Sequence, residues 1–190
     1  DAPNMILLDV QTGQQDAVAE TITQSSLPVL GNIPIVTMRI QKLNGVPVNE
    51  IQADTTSIIN NWVLTHEFRV TYRDSLIASE LIREGKWVSH ATDSDEVPIS
   101  VSDNFAEDAQ VEVGDEVIFN VQGVNLKTVI GSIRTVDWAQ MQMNFSIVFP
   151  TGVLENAPQF RVFTTKVSTD ETSAQLQQNL VRKFPNISII

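Results

Sequence analysis

Two histidines, a run of acids and three tryptophans are the residues of this chain whose types could do chemistry. His66 and His90 stand far apart in sequence, and neither has neighbours at the spacing of a metal-ligand or general-base set. His66 opens a strand-like run, and His90 sits beside an acidic stretch that reads as an exposed loop. That stretch holds Asp93, Asp95 and Glu96, spaced like the first ligands of a calcium loop. It lacks the central glycine and the bidentate glutamate that close such a loop, so it reads as a solvated turn. Glu107-Asp108 and Asp115-Glu116 are neighbours in sequence, and adjacent side chains diverge on a helix or strand, so neither makes a pair of cooperating carboxylates. The chain has no cysteine, no G-x-S-x-G elbow and no phosphate-cradling G-x-x-x-x-G-K loop. Acyl transfer, thiolate chemistry, Cys-ligated zinc and nucleotide binding therefore have no visible anchor. The expectation is a non-enzyme with no catalytic residues, no metal and no cofactor. Among Trp62, Trp87 and Trp138, the last lies between two strand-like runs, beside an aspartate suited to ordering a turn. Core or lid packing is the default for a tryptophan so placed; as a functional reading, Trp138 with Asp93, Asp95 and Glu96 is the candidate surface for a partner or substrate.

The 190 residues carry 23 acidic against 12 basic side chains, a net charge of −11. Such a surface repels phosphate backbones and anionic headgroups, so nucleic acid is not an expected partner. Hydrophobic residues make up 42% and charged residues 18%, the composition of a chain that folds around a core. The opening Asp-Ala-Pro is unlike a signal peptide, and no apolar run approaches the ~20 residues of a membrane-spanning helix. The chain stops on the apolar Ile187-Ser188-Ile189-Ile190, which reads as an excised piece of a longer parent.

The elements that must position these side chains follow from periodicity. Residues 4–10 read as a buried strand, followed by a Thr12-Gly-Gln-Gln15 capping box and a helix with Ala17, Val18 and Ile22 on one face. Residues 35–43 alternate as a strand into an Asn44-Gly45 hairpin. The final residues repeat the pattern. Residues 160–167 alternate, Ser168-Thr-Asp-Glu171 has capping-box form, and Leu176, Leu180, Val181 and Phe184 recur at helical spacing. Pro185 then stops the helix before a last strand. Between them, residues 67–72 read as a strand, residues 111–113, 117–121 and 126–134 as a meander with tight turns at Gly114-Asp115 and Gln122-Gly123, and residues 144–149 as a last strand. Residues 74–83 read as loop or short helix, and Ser102 caps a short helix at 103–109. The expected fold is α+β. A ferredoxin-like β-α-β subdomain is drawn from residues 1–58 and 152–190, and a β-rich subdomain from 59–151 is inserted into it.

The middle of the chain carries a word order: Val113-Gly114-Asp115 running into Phe119, then Arg134-Thr135-Val136-Asp137-Trp138, Asn144-Phe145, and Phe149-Pro150 with Gly152. It resembles the periplasmic loops of MacB/FtsX-like ABC transporter permeases. Pro3 to Val10, Arg39 to Pro47 and His66 to Tyr72 extend the likeness over nearly the whole chain. It is nearest to the large permeases associated with lysophospholipase. The resemblance implies a porter-like subdomain with a sabre-like insertion on the periplasmic side of the inner membrane. It further implies attachment to transmembrane helices of the same chain, a cytoplasmic ATPase partner, a permease dimer, and a periplasmic partner protein or lipid substrate. The work implied is coupling of ATP-driven motion to export or extraction of a lipid, lipoprotein or other hydrophobic substrate. The alternatives are a free-standing periplasmic binding module and, behind it, a hydrolase with an unadvertised site.

Overall fold

The computed structural model describes residues 2–92, 96–139 and 143–190. The elements run β1 (Met5–Gln11), a 3-10 turn (Thr12–Gln14), α1 (Gln15–Gln24), β2 (Gly31–Leu43), β3 (Val46–Pro47), α2 (Val48–Ala53), α3 (Asn61–Thr65), β4 (Phe68–Tyr72), β5 (Glu80–Gly85), β6 (Val97–Ser102), α4 (Asp103–Ala109), β7 (Glu116–Val121), β8 (Val124–Val136), β9 (Ile147–Phe149), β10 (Phe160–Thr165), α5 (Asp170–Lys183) and β11 (Ser188–Ile189). They group into two units, Asp1–Ile35 with Gln159–Ile190, and Val36–Pro158.

In the first unit the strands lie in the order β11-β1-β10-β2 and every pairing is antiparallel. β1 buries Met5 and Leu7, and a bulge between Leu7 and Val10 adds the residue that brings Val10 back to the same face. Asp9 sits in that bulge with φ 63°, and Asn186 Nδ2 donates to its carbonyl at 3.0 Å. Val18 and Ile22 of α1, Leu176 and Leu180 of α5, and Phe163 of β10 complete one core with the buried face of β1. Each such fully buried aliphatic contributes about 1.5–3 kcal/mol. Next to β1, Ile6 and Ile190 exchange two backbone hydrogen bonds of 2.9 Å.

The capping residues differ from those expected. In the first turn, Gln14 Oε1 accepts from the Gln11 N–H at 3.1 Å, one position ahead of the expected Thr12-to-Gln15 box. Gln14 also exchanges both amide hydrogen bonds with Asn186, each 2.9 Å. The cap of α5 is Thr169, not Ser168, and accepts from the Thr172 N–H at 3.1 Å.

The second unit contains the later half of β2. Its strand pairings run β2-β4-β9-β6-β8-β7 and return to β2, so six strands close into a ring. Closure removes free edges that a meander would leave. Two of the pairings, β4 with β9 and β6 with β8, are parallel. Alternate residues fill the core: Val36, Met38 and Ile40 from β2, Val97, Ile99 and Val101 from β6, Val117 and Phe119 from β7. Asn44 and Gly45 turn β2 into β3 with φ of 47° and 80°, the left-handed pair a two-residue hairpin demands.

The boundary expected near residue 58 falls instead at Ile35/Val36, and the one near 152 at Pro158/Gln159. β2 does not stop at the first sheet. Its residues 36–43 pair with β4 and β7, and Ile51 of α2 and Leu154 join the second core. Residues 80–83, the end of the stretch expected as loop or short helix, instead belong to β5, which pairs with the end of β8. The hairpin's return strand is two residues long and gives way at once to α2.

Candidate functional site

Ser102 ends β6 and begins α4, its Oγ accepting from the Phe105 N–H at 3.2 Å, as expected for this cap. Asn60 caps α3 by accepting from the Trp62 N–H at 3.4 Å, and its own N–H donates to the Asp108 carbonyl at 2.9 Å. α3 and α4 are thereby stitched side by side. Trp62 packs on Phe68, at 5.7 Å between ring centroids, and edge-on to buried Phe105 at 6.4 Å. The Trp62 Nε1–H donates to Asp108 Oδ2 at 2.8 Å, which fixes the indole where it is half-buried.

Trp138 stands across from this pair, at the end of β8. The turn that carries it is ordered by Asp137, whose Oδ1 accepts from the Ala139 N–H at 3.1 Å and whose N–H donates to the Ser79 carbonyl at 2.8 Å. Between Trp138 and α4 lies a groove of about 420 Å³, floored by Phe105 and walled by Trp62 and Trp138. Asn104, Glu107, Asp108 and Ser146 form its rim. Trp138 leaves 46% of its surface exposed. Among the described residues, the lining carries two carboxylates and no cation.

Beneath this region runs a buried ion-pair network that ties the strands under the Trp138 turn together. Arg134 of β8 is fully buried. Its Nε donates to Glu80 Oε2 at 2.9 Å, one terminal nitrogen to the Ser100 carbonyl at 2.8 Å, and the other to the Phe145 carbonyl. Glu80 also accepts from Arg73 at 2.8 Å and from the Ile77 N–H at 3.2 Å. Arg73 in turn lies 5.6 Å over the Trp87 ring. Burial pushes the Glu80 carboxyl pKa upward, but the hydrogen bond from Arg73 and the charge of Arg134 outweigh it, and the group ends below its ordinary 4.5. One guanidinium thus clamps β5, β6, β8 and the segment leading into β9. Ser79 Oγ adds a hydrogen bond to Asn144 Oδ1 at 2.8 Å in that segment. These are the Arg134 and Asn144-Phe145 of the recognisable word order, and their work is architectural.

Of the expected surface residues, Trp138 lines the groove. Glu96 is exposed but precedes β6, whereas the groove lies past the other end of that strand, roughly 20 Å of extended chain away. Trp138 and Glu96 do not share a site. Asp93 and Asp95 lie outside the described residues. Among the described residues, no group of three or more His, Asp or Glu side chains could hold a metal ion. No described helix is long and apolar enough to cross a membrane. Trp62, Glu107 and Asp108 of the groove, and Glu80 and Arg134 beneath it, were not expected as site residues. The pairing of Trp62 with Asp108 spans 46 positions and leaves no local signal.

No protein-family model matches the chain. The chain is 27% identical over 192 aligned positions to YbbP of Escherichia coli strain K12, described as an uncharacterized ABC transporter permease. The match covers the whole of this chain, which spans 22% of that relative's length. Among solved structures, it is similar to a domain of a candidate permease protein from Porphyromonas gingivalis, at 11% identity and a TM-score of 0.43, over 97% of this chain and 86% of that one. So loose a superposition transfers no property. The similarity to an ABC transporter permease agrees with the class that the word order resembles.

Proposed function

We propose that this chain is an extracytoplasmic domain of an ABC transporter permease subunit of the MacB/FtsX-like kind, and not an enzyme. The observation that carries this reading is the match to a permease from end to end of the chain, over a fraction of the permease's length. A segment of that extent, with no described helix able to span a membrane, fits a loop displayed between transmembrane helices. The first unit's antiparallel order β11-β1-β10-β2, with a helix after β1 and another after β10, follows a ferredoxin-like plan and supports the porter-like reading. The closed β ring takes the part of a sabre-like insertion. Adjacent strands at the two chain ends give both attachments one point of departure, as neighbouring transmembrane helices require.

In this reading the parent dimerises, engages a cytoplasmic ATPase and passes its motion to a lipid, lipoprotein or other hydrophobic substrate on the periplasmic side. The lysophospholipase-associated permeases are the subgroup it fits. The groove at Trp138 is the surface that meets the partner. The test is membrane topology in the parent protein. Alkaline phosphatase inserted between Gly123 and Val124, in an exposed turn, should be active, and a green fluorescent protein inserted there should be dark. A bright fluorescent fusion with inactive phosphatase overturns the proposal. A parent reading frame without hydrophobic helices flanking this segment would replace it with a free-standing periplasmic binding module.

A further inference from the structure

We propose that the groove between Trp62 and Trp138 docks an arginine-bearing peptide segment of a partner protein, the guanidinium held by Glu107 and Asp108 and stacked on Trp138. The inference rests on the reading of Trp138 as a partner-facing surface and names the chemistry of what it meets. Every described charged side chain lining the groove is an acid, and the two tryptophans supply aromatic surface beside them. A planar cation that stacks on an indole while its N–H groups fork to a carboxylate satisfies both features at once. Lysine offers a compact charge without the stacking plane.

The site is built before a ligand arrives. Trp62 is pinned by its bond to Asp108 and by the Asn60 and Asp108 backbones, and Trp138 by the Asp137 turn. A carboxylate offers about four lone-pair positions, so Asp108 retains acceptor capacity beyond its bond to Trp62. Other occupants fit less well. A second copy of this chain, itself at −11, would bring acid to acid, and an anionic lipid surface would do the same.

The test uses the 190-residue chain and a blocked hexapeptide alternating arginine with glycine. It is followed by tryptophan fluorescence and by the indole N–H resonances. Saturable shifts of the Trp138 and Trp62 indole signals are expected by about 5 mM peptide, weakening as salt is raised. The same peptide with citrulline, which keeps the shape and loses the charge, should not bind. Trp138→Ala should weaken binding about fivefold, and Trp138→Phe by less. Glu107→Gln with Asp108→Asn should weaken it by about tenfold, the asparagine keeping an acceptor for Trp62. Three results would each overturn the proposal: no saturable shift, equal binding of the citrulline peptide, or an unchanged affinity in Trp138→Ala. Trp138-dependent self-association, or Trp138-dependent binding to phosphatidylglycerol vesicles, would replace it with a second copy or a lipid surface. Each outcome is read independently of the topology fusions, so loss of the arginine site leaves the permease reading standing, and the reverse.

Discussion

Replacing Glu80 by methionine tests whether the buried network holds the second unit together. The Glu80 and Arg134 side chains are both fully excluded from solvent, so the substitution strands a guanidinium whose remaining partners are neutral oxygens. Breaking a buried pair from one side costs about 3–5 kcal/mol, since the surviving charge loses its main compensation and keeps only the more distant Asp103. Arg134→Met is the milder cut. Glu80 then keeps Arg73 at 2.8 Å and the Ile77 N–H, and the loss is chiefly the donors to the Ser100 and Phe145 carbonyls, about 2–3 kcal/mol in sum. The double variant removes the stranded charge along with its partner, so it should cost no more than Glu80→Met alone. For a chain of this size a kilocalorie moves the melting midpoint by about 2–4 °C, which puts Glu80→Met roughly 10 °C below the parent. The assay is selective because Trp62, Trp87 and Trp138 all fall within Val36–Pro158, so indole emission follows that unit by itself. A midpoint drop under about 2 °C for Glu80→Met, or a double variant equal to the sum of the singles, would refute the reasoning.

The same carboxylate sets a pH dependence. Its folded pKa lies below the ordinary 4.5, so its contribution is complete above that value and is lost as pH falls through the folded one. Urea midpoints read by indole emission should therefore decline below about pH 4.5 in the parent and much less in Glu80→Met. Leu180→Ala, in the core of the first unit, should cost about 2–5 kcal/mol by far-UV circular dichroism, with its transition absent from the indole signal if the units unfold separately. Gly152→Ala should destabilise by more than about 1 kcal/mol, because φ is 104° there and a Cβ would run into the Ala91 carbonyl; a neutral result in denaturant titration would contradict that packing.

Much of the fold is written in local pattern. The strands β1, β2, β4 and β10, the helices α1 and α5, the Asn44-Gly45 turn and the Ser102 cap all follow from periodicity or turn chemistry within a dozen residues. What escaped notice depends on distant partners. β5 reads Glu-Leu-Ile-Arg-Glu-Gly, a poor strand by composition, and becomes one because Glu80 finds Arg134 and the rest lies along the end of β8. The ring closes through parallel pairings such as Val97 with Thr128 and Thr71 with Val148, and nothing near any of those residues announces its partner. The unit boundary moved for the same reason, since the continuation of β2 past Ile35 is decided by β4 and β7. The Asp137 turn that carries Trp138 follows from local chemistry, but the companions of Trp138 arrive on α3 and α4 through capping bonds between segments far apart in sequence.

The reciprocal hydrogen bonds between Ile6 and Ile190 give the chain ends an unequal response to load. β11 is two residues long and is held to β1 by a few rungs set across the strand direction. If the two ends are drawn the same way, those rungs carry no differential strain and the sheet travels as a block. If they are drawn apart, the rungs fail one after another, each worth only about a kilocalorie, and β11 peels away while the β1–β10 pairing stays intact. In the proposed permease, such a joint would transmit shared displacement and yield to separation, a mechanical fuse of two residues.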